Sequence, residues 1–203
     1  MSKKYIAIAG NMGSGKSSLV KFLCQHFGLK PFFEPNDINP FLVRFYKDMH
    51  RWAFHSQMSF LTQKYRIHQE LDNHQEPVIQ DRTIYEDAQV YAKHLFLQKY
   101  MDKQEYETYT HMYENIVRTI NPPDLMIYLE CPLRMLRKRI KMRGRKMEMN
   151  IPDSYITSLE KLYKSWISKY KRSPVIVYST EKIDYMSDFI HRADLLETIS
   201  KHL

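Results

Sequence analysis

Eight consecutive residues, Gly10-Asn11-Met12-Gly13-Ser14-Gly15-Lys16-Ser17, fit the spacing G-x-x-x-x-G-K-[ST]. These residue types suit phosphate. Glycines let backbone N–H groups converge on phosphate oxygens, and the N-terminus of a following helix adds partial positive charge. Lys16 can reach β- and γ-phosphates, and the Ser17 hydroxyl can hold Mg²⁺. With Ser18 behind it, the segment reads as a cradle for a nucleoside triphosphate such as ATP. Other charged residues follow short apolar runs: Glu34, then Asp81 and Arg82. A basic run spans Arg134, Arg137, Lys138, Arg139, Lys141, Arg143, Arg145 and Lys146. Phosphoryl transfer needs positioning, charge stabilisation and a group to take the nucleophile's proton. Those are the groups this chain offers.

The elements that must hold them follow from hydrophobic patterning. Tyr5 to Ala9 is an apolar run, and Ser18 to Phe27 carries Leu19, Phe22, Leu23 and Phe27 at helical spacing. Further strand-like runs are Phe32-Phe33 before Glu34, Pro77 to Gln80 before Asp81, Leu125 to Leu129 before Glu130, and Val175 to Tyr178. Five short buried strands separated by helical segments predict an α/β domain, a five-stranded parallel sheet covered on both faces. Ligands of such sheets gather beyond the carboxyl ends of the strands, where Gly10, Glu34, Asp81 and Arg82 stand. Pro40 to Asn73 is too long for one helix and should break near Asp48 to Arg51. Ile84 to Thr119 should divide near Tyr100 to Lys103, and Ser187 to Leu203 should form a surface helix. No repeat or linker divides the chain, so one domain is expected.

Composition narrows the function classes. The 203 residues are 43% hydrophobic and 27% charged, ordinary for a soluble globular protein. No stretch reaches the roughly 18 apolar residues of a membrane span, and the start lacks the length and cleavage site of a signal peptide. Cys24 and Cys131, the two cysteines, are expected to be buried free thiols in a reducing compartment, the cytoplasm by default. The nine histidines show no ligand spacing, so no structural zinc is expected. Net charge is +8, which suits a polyanion, either nucleotide or nucleic acid. Within the basic run, Arg139 and Arg143 share a helical face before Gly144 stops the helix, and Arg145 follows. Arg134, Arg137, Lys138 and Lys141 read as a solvated face. Met, Leu and Ile are interleaved there instead of aromatics, which favours ATP over RNA.

Taken with the phosphate loop, Phe33-Glu34-Pro35, Asn39-Pro40, Trp52-Ala53-Phe54-His55-Ser56-Gln57, Asp81-Arg82-Thr83 and Arg139-x-x-x-Arg143-Gly144-Arg145 resemble the deoxynucleoside kinases. Those P-loop enzymes phosphorylate the 5′-hydroxyl of deoxyribonucleosides. The likeness runs from about residue 5 to residue 178. It implies a P-loop kinase fold, Mg·ATP, Glu34 as general base and Arg82 beside the 5′-oxygen. It also implies Asp81 assisting Mg²⁺ through water beside Ser17, and Arg139, Arg143 and Arg145 on an Arg-rich lid over the phosphates. Glu148 and Tyr46 would meet the sugar 3′-hydroxyl, although many relatives have two acidic residues where this chain has Met147-Glu148. Relatives are commonly homodimers joined through long helices, which here would be Pro40–Asn73 and Ile84–Thr119. No nucleic-acid or membrane partner is implied.

The base should meet Gln57, whose carboxamide presents one donor and one acceptor side. In relatives acting on deoxycytidine and purine deoxynucleosides, a basic residue and an Asp occupy the places of Lys64 and Asp87. An acceptor at Asp87 would favour an exocyclic amine over a thymine carbonyl. Phe60 and Tyr91 could stack on the base or belong to the core. Many animal relatives carry a Trp soon after Glu-Pro, where this chain has Asn36-Asp37. Deoxyadenosine is the first expectation, then deoxyguanosine and deoxycytidine. One rival is thymidylate kinase, which usually has Arg before the Glu and Gly-Gly after the Pro; this chain has Phe33 and Asn36-Asp37. A second is a nucleotide switch or RNA-dependent ATPase, whose D-x-x-G or D-E strand ends are missing after the third and fourth strands.

Overall fold

The computed structural model describes residues 4–34, 38–181 and 188–202. Pro35 of the Phe33-Glu34-Pro35 motif, Asn36 and Asp37 after it, and the ends of the expected last helix, Ser187 and Leu203, lie outside them. Five strands form one parallel sheet in the order β2-β3-β1-β4-β5. They are β1 (Tyr5–Gly10), β2 (Lys30–Phe32), β3 (Val78–Asp81), β4 (Leu125–Glu130) and β5 (Val175–Ser179). Residues of β1, β3 and β4 alternate between two cores, as the two-residue period of a strand requires. Ile6, Ile8, Ile79 and Ile127 pack with Leu19, Leu23, Leu195 and Ile199. Those partners come from α1 (Lys16–Phe27) and α9 (Phe189–Ser200). Tyr5, Ala7, Ala9, Val78 and Tyr128 face the larger core on the other side.

That larger core is closed by α3 (Met49–Asn73), α6 (Lys103–Val117) and α8 (Asp153–Ile167). The expected break before α3 falls at Asp48, which ends α2 (Leu42–Lys47) and caps α3 by accepting from Arg51 N at 3.1 Å. The division before α6 falls where Asp102 and Glu105 form a reciprocal capping box. Between β3 and α6 runs α4 (Ile84–Glu86), then a π-helical stretch Asp87–Ala92, then α5 (Lys93–Leu97). Apolar periodicity does not separate the wider π turn from an α-helix, and such turns concentrate at functional sites.

Gly144, with φ 68°, ends α7 (Leu133–Arg143). The phosphate loop between β1 and α1 requires two of its glycines for steric reasons. Gly10 has φ 149°, and a Cβ there would lie 2.7 Å from Ser14 Oγ. At Gly13, φ is 78° and a Cβ would meet the Leu136 carbonyl of α7 at 2.9 Å. The cysteines divide. Cys131 is buried, whereas Cys24 is only half-buried on the flank of α1, a correction to its expected burial.

Candidate active site

The register of the sheet brings the charged strand ends together. Ile8 pairs with Asp81, and Arg82 N donates to Ile8 O at 3.0 Å, so β3 ends level with the start of the phosphate loop. Arg82 has φ 63°, an unfavourable setting for a side-chain-bearing residue that turns the chain sharply into α4. Thr83 then caps α4, accepting from Glu86 N. One cavity is lined by Lys16, Ser17, Glu34, Asp81, Arg82, Asp87, Arg143, Arg145 and Glu148 together with Tyr46, Gln57, Phe60 and Tyr91. Most residues singled out in the sequence therefore share one space, with the phosphate loop at one end.

Arg82 is the hub. Its Nη1 donates to Glu34 Oε1 at 2.7 Å, its Nε lies 3.4 Å from Glu86 Oε1, and its guanidinium lies 4.4 Å from the centre of the Tyr91 ring. Asp81, its neighbour in sequence, accepts from the Ser17 hydroxyl. Asp81 is the last residue of β3, whereas Arg82 at φ 63° has already turned out of the strand, so the two side chains part, Asp81 to the loop and Arg82 to Glu34. Lys64 is wholly buried, 3.2 Å from Asp87 Oδ2 and 3.7 Å from Glu34 Oε1, and donates to Arg82 O at 2.9 Å. It lies behind the cavity and does not line it. Burial raises the carboxyl of Asp87 above its usual range, against the pull of Lys64.

The phosphate loop is braced from several sides. Asn11 Nδ2 donates to Ile156 O at 3.0 Å and to Glu160 Oε2 at 3.2 Å, both on α8. Lys16 Nζ donates to the loop's own carbonyls, Gly10 O at 2.7 Å and Asn11 O at 3.2 Å. Burial, reinforced by the Arg82 charge, pushes Lys16 down to about 8. A bound polyphosphate would favour the charged ammonium. Affinity for a nucleotide should therefore fall as pH rises past about 8, approaching tenfold per pH unit. Titrating nucleotide binding across this range checks it, and Lys16→Met should flatten the dependence. Ser18 is exposed on the first turn of α1 and does not line the cavity.

The basic run separates by contact. Arg139, expected over phosphates, donates to Ser14 O at 3.0 Å and Thr180 Oγ1 at 3.2 Å, bracing the back of the loop outside the cavity. Arg143 and Arg145 do line the cavity, and both pair with Glu148, Arg145 at 3.3 Å. Glu148 and Glu34 both act electrostatically on the half-buried Tyr46, although burial is the larger cause of its raised phenol. Asn39 Nδ2 donates to Ser56 O at 3.1 Å, fixing the turn of α3 that carries Gln57. Gln57 Oε1 is buried with no hydrogen-bond partner among the described residues. Arg137 departs from its expected solvated face, pairing with Asp153 and donating to Ile151 O.

Several site residues escape the sequence reading. Glu86 is wholly buried beside Arg82, with a spacing of four residues as its only sequence signal. Tyr155 lines the cavity and Tyr163 donates to Glu86, yet in the sequence both belong to the apolar stripe of a helix that the strand pattern left unassigned. Taken together, the geometry offers a carboxylate held by a guanidinium beside a phosphate loop, with a partly apolar recess leading to an unpartnered carboxamide oxygen.

The family model for deoxynucleoside kinases matches residues 6–203. A deoxyadenosine/deoxycytidine kinase of Bacillus subtilis (strain 168) is 38% identical over 185 residues, covering 90% of this chain and 85% of that protein. A deoxyadenosine kinase of Lactobacillus acidophilus is 34% identical, covering 98% and 95%. Among solved structures, the deoxyadenosine kinase of M. mycoides with bound dATP superposes with a TM-score of 0.83 at 30% identity. That match covers 98% of this chain and 99% of that one. With bound dCTP the same kinase gives 0.83 at 29% identity, covering 98% and 100%.

Proposed function

The chain belongs to the deoxynucleoside kinase family, and from that premise we propose that it moves the γ-phosphoryl group of Mg·ATP to the 5′-hydroxyl of deoxyadenosine. Deoxyguanosine and deoxycytidine follow as poorer acceptors. The observation that carries the proposal is Glu34 held at 2.7 Å by Arg82 in a cavity that also contains Lys16 and Ser17.

In this reading Glu34 accepts the 5′-hydroxyl proton as the hydroxyl attacks phosphorus. Arg82 orients Glu34 and lies beside the attacking oxygen, while Lys16 and the loop N–H groups hold the donor phosphates. Arg143 and Arg145 close over transferring charge and Arg139 keeps the loop in shape. Mg²⁺ fits the oxygen set of Ser17 and Asp81, since Asp81 Oδ1 is buried with no hydrogen-bond partner among the described residues. When bound, the ion would neutralise charge on the donor phosphates. Tyr46 and Glu148 receive the sugar 3′-hydroxyl, and Phe60 and Tyr91 flank the base.

Gln57 and Asp87 favour a base edge bearing an exocyclic amine, with Lys64 fixing Asp87 from behind. The dCTP and dATP held by the M. mycoides kinase both carry such an amine, which supports this choice. A single domain, a cytoplasmic location and a homodimer belong to the same proposal. Among the described residues no helix is long and apolar enough to cross a membrane. The test is turnover of each deoxynucleoside with ATP: deoxyadenosine should give the highest kcat/KM. Asp87→Asn should lower it for deoxyadenosine by roughly 10- to 100-fold while raising it for thymidine. Unchanged ranking in that variant would remove Asp87 from base selection.

A further inference from the structure

We infer that Glu86 is a positioning residue for the transfer, one carboxylate oxygen fixing both the Arg82 guanidinium and the start of the phosphate loop. The inference rests on the roles proposed above for Glu34 and Arg82. Three groups converge on Glu86 Oε1. Gly10 N donates to it at 3.3 Å from the end of β1, the Tyr163 hydroxyl donates from α8, and Arg82 Nε lies 3.4 Å away. Gly10 opens the donor loop and Arg82 holds the acceptor-side base. The same atom therefore ties the two ends of the reaction together.

Packing alone does not explain a carboxylate here. Glu86 is wholly buried, and burial raises its carboxyl against the opposing charges. Its second oxygen has no hydrogen-bond partner among the described residues. Burying a carboxylate costs several kcal/mol before its contacts repay any of it. An apolar side chain would fill the space without that penalty. What the carboxylate adds is a second negative charge that holds Arg82 from the side opposite Glu34. Nε stands 3.4 Å from Glu86 Oε1 as an ion pair without a hydrogen bond, while Nη1 donates to Glu34.

Glu86 also divides the Arg82 charge. Facing Glu86 are Arg82, Lys16 of the loop, Lys64 of α3, Tyr163 of α8, Tyr91 and Tyr128 of β4. Facing Glu34 are Arg82, Lys16, Lys64, Asp87, Tyr46 and Tyr91. Without the Glu86 charge, the attraction of Arg82 for Glu34 is undivided, and Glu34 becomes harder to protonate. The base weakens, and the acid limb of kcat/KM moves to lower pH.

The experiment compares wild type, Glu86→Gln and Tyr163→Phe. Wild-type turnover of deoxyadenosine measures the reading on which the inference rests, and the variants measure Glu86. E86Q should lower kcat about 10- to 100-fold with KM for deoxyadenosine within about threefold, and should shift the acid limb downward. Tyr163→Phe removes one donor to Glu86 and keeps the ring, and should lower kcat about three- to tenfold at unchanged KM. A folded E86Q with wild-type kcat and an unmoved acid limb would overturn the inference. If E86Q does not fold, Tyr163→Phe decides: a lowered kcat supports the inference, and a wild-type kcat overturns it.

Discussion

Replacing Glu34 by Gln should lower kcat by on the order of 10²–10⁴ while nucleotide affinity changes by less than about threefold. The substitution keeps the shape and a hydrogen-bond acceptor for Arg82 Nη1, now at 2.7 Å from Glu34, but cannot take a proton. In the proposed arrangement the nucleotide meets Lys16 and the loop rather than Glu34, so binding and turnover should separate. Pre-steady-state phosphoryl transfer and an equilibrium nucleotide titration measure the two quantities. Near-normal turnover in E34Q would remove Glu34 as the base.

Arg82→Met should have a comparably large effect, on stability as well as rate. Arg82 stands between Glu34 and Glu86, and its removal takes the nearest cation from a wholly buried carboxylate whose hydrogen-bond donors among the described residues are Tyr163 and Gly10 N. Breaking one side of such a pair typically costs about 3–5 kcal/mol. Glu86, whose carboxyl burial already raises, would bind its proton still more tightly in the folded chain than in the unfolded one. Stability of the variant should therefore fall as pH rises and recover on acidification, narrowing its gap to wild type. Denaturant unfolding at several pH values checks the sign. Arg82→Lys should fold better yet remain poorly active, because one ammonium cannot reproduce the Nε and Nη1 directions together.

The phosphate loop, the five strands and the breaks at Asp48 and Asp102 were legible because each depends on neighbours in the sequence. A glycine spacing, an apolar run or a capping residue carries its own signal. The convergence of Glu34, Asp81 and Arg82 was legible through topology, since strand ends of a parallel sheet share one edge. Who pairs with whom was not. Arg82 chooses Glu34, 48 residues away, over adjacent Asp81, and Arg139 reaches Ser14 across 125 residues. Such choices depend on side-chain directions that only the packed sheet and helices define. Glu86 stayed hidden for the same reason. A carboxylate four residues after an arginine reads as a surface ion pair until the structure buries it.

Whether the loop aims its phosphate at the 5′-hydroxyl of a deoxynucleoside is read by supplying γ-labelled ATP with either deoxyadenosine or dTMP and identifying the labelled product. Label should appear in the 5′-monophosphate of deoxyadenosine and not in dTDP. Label in dTDP alone would rule this reaction out.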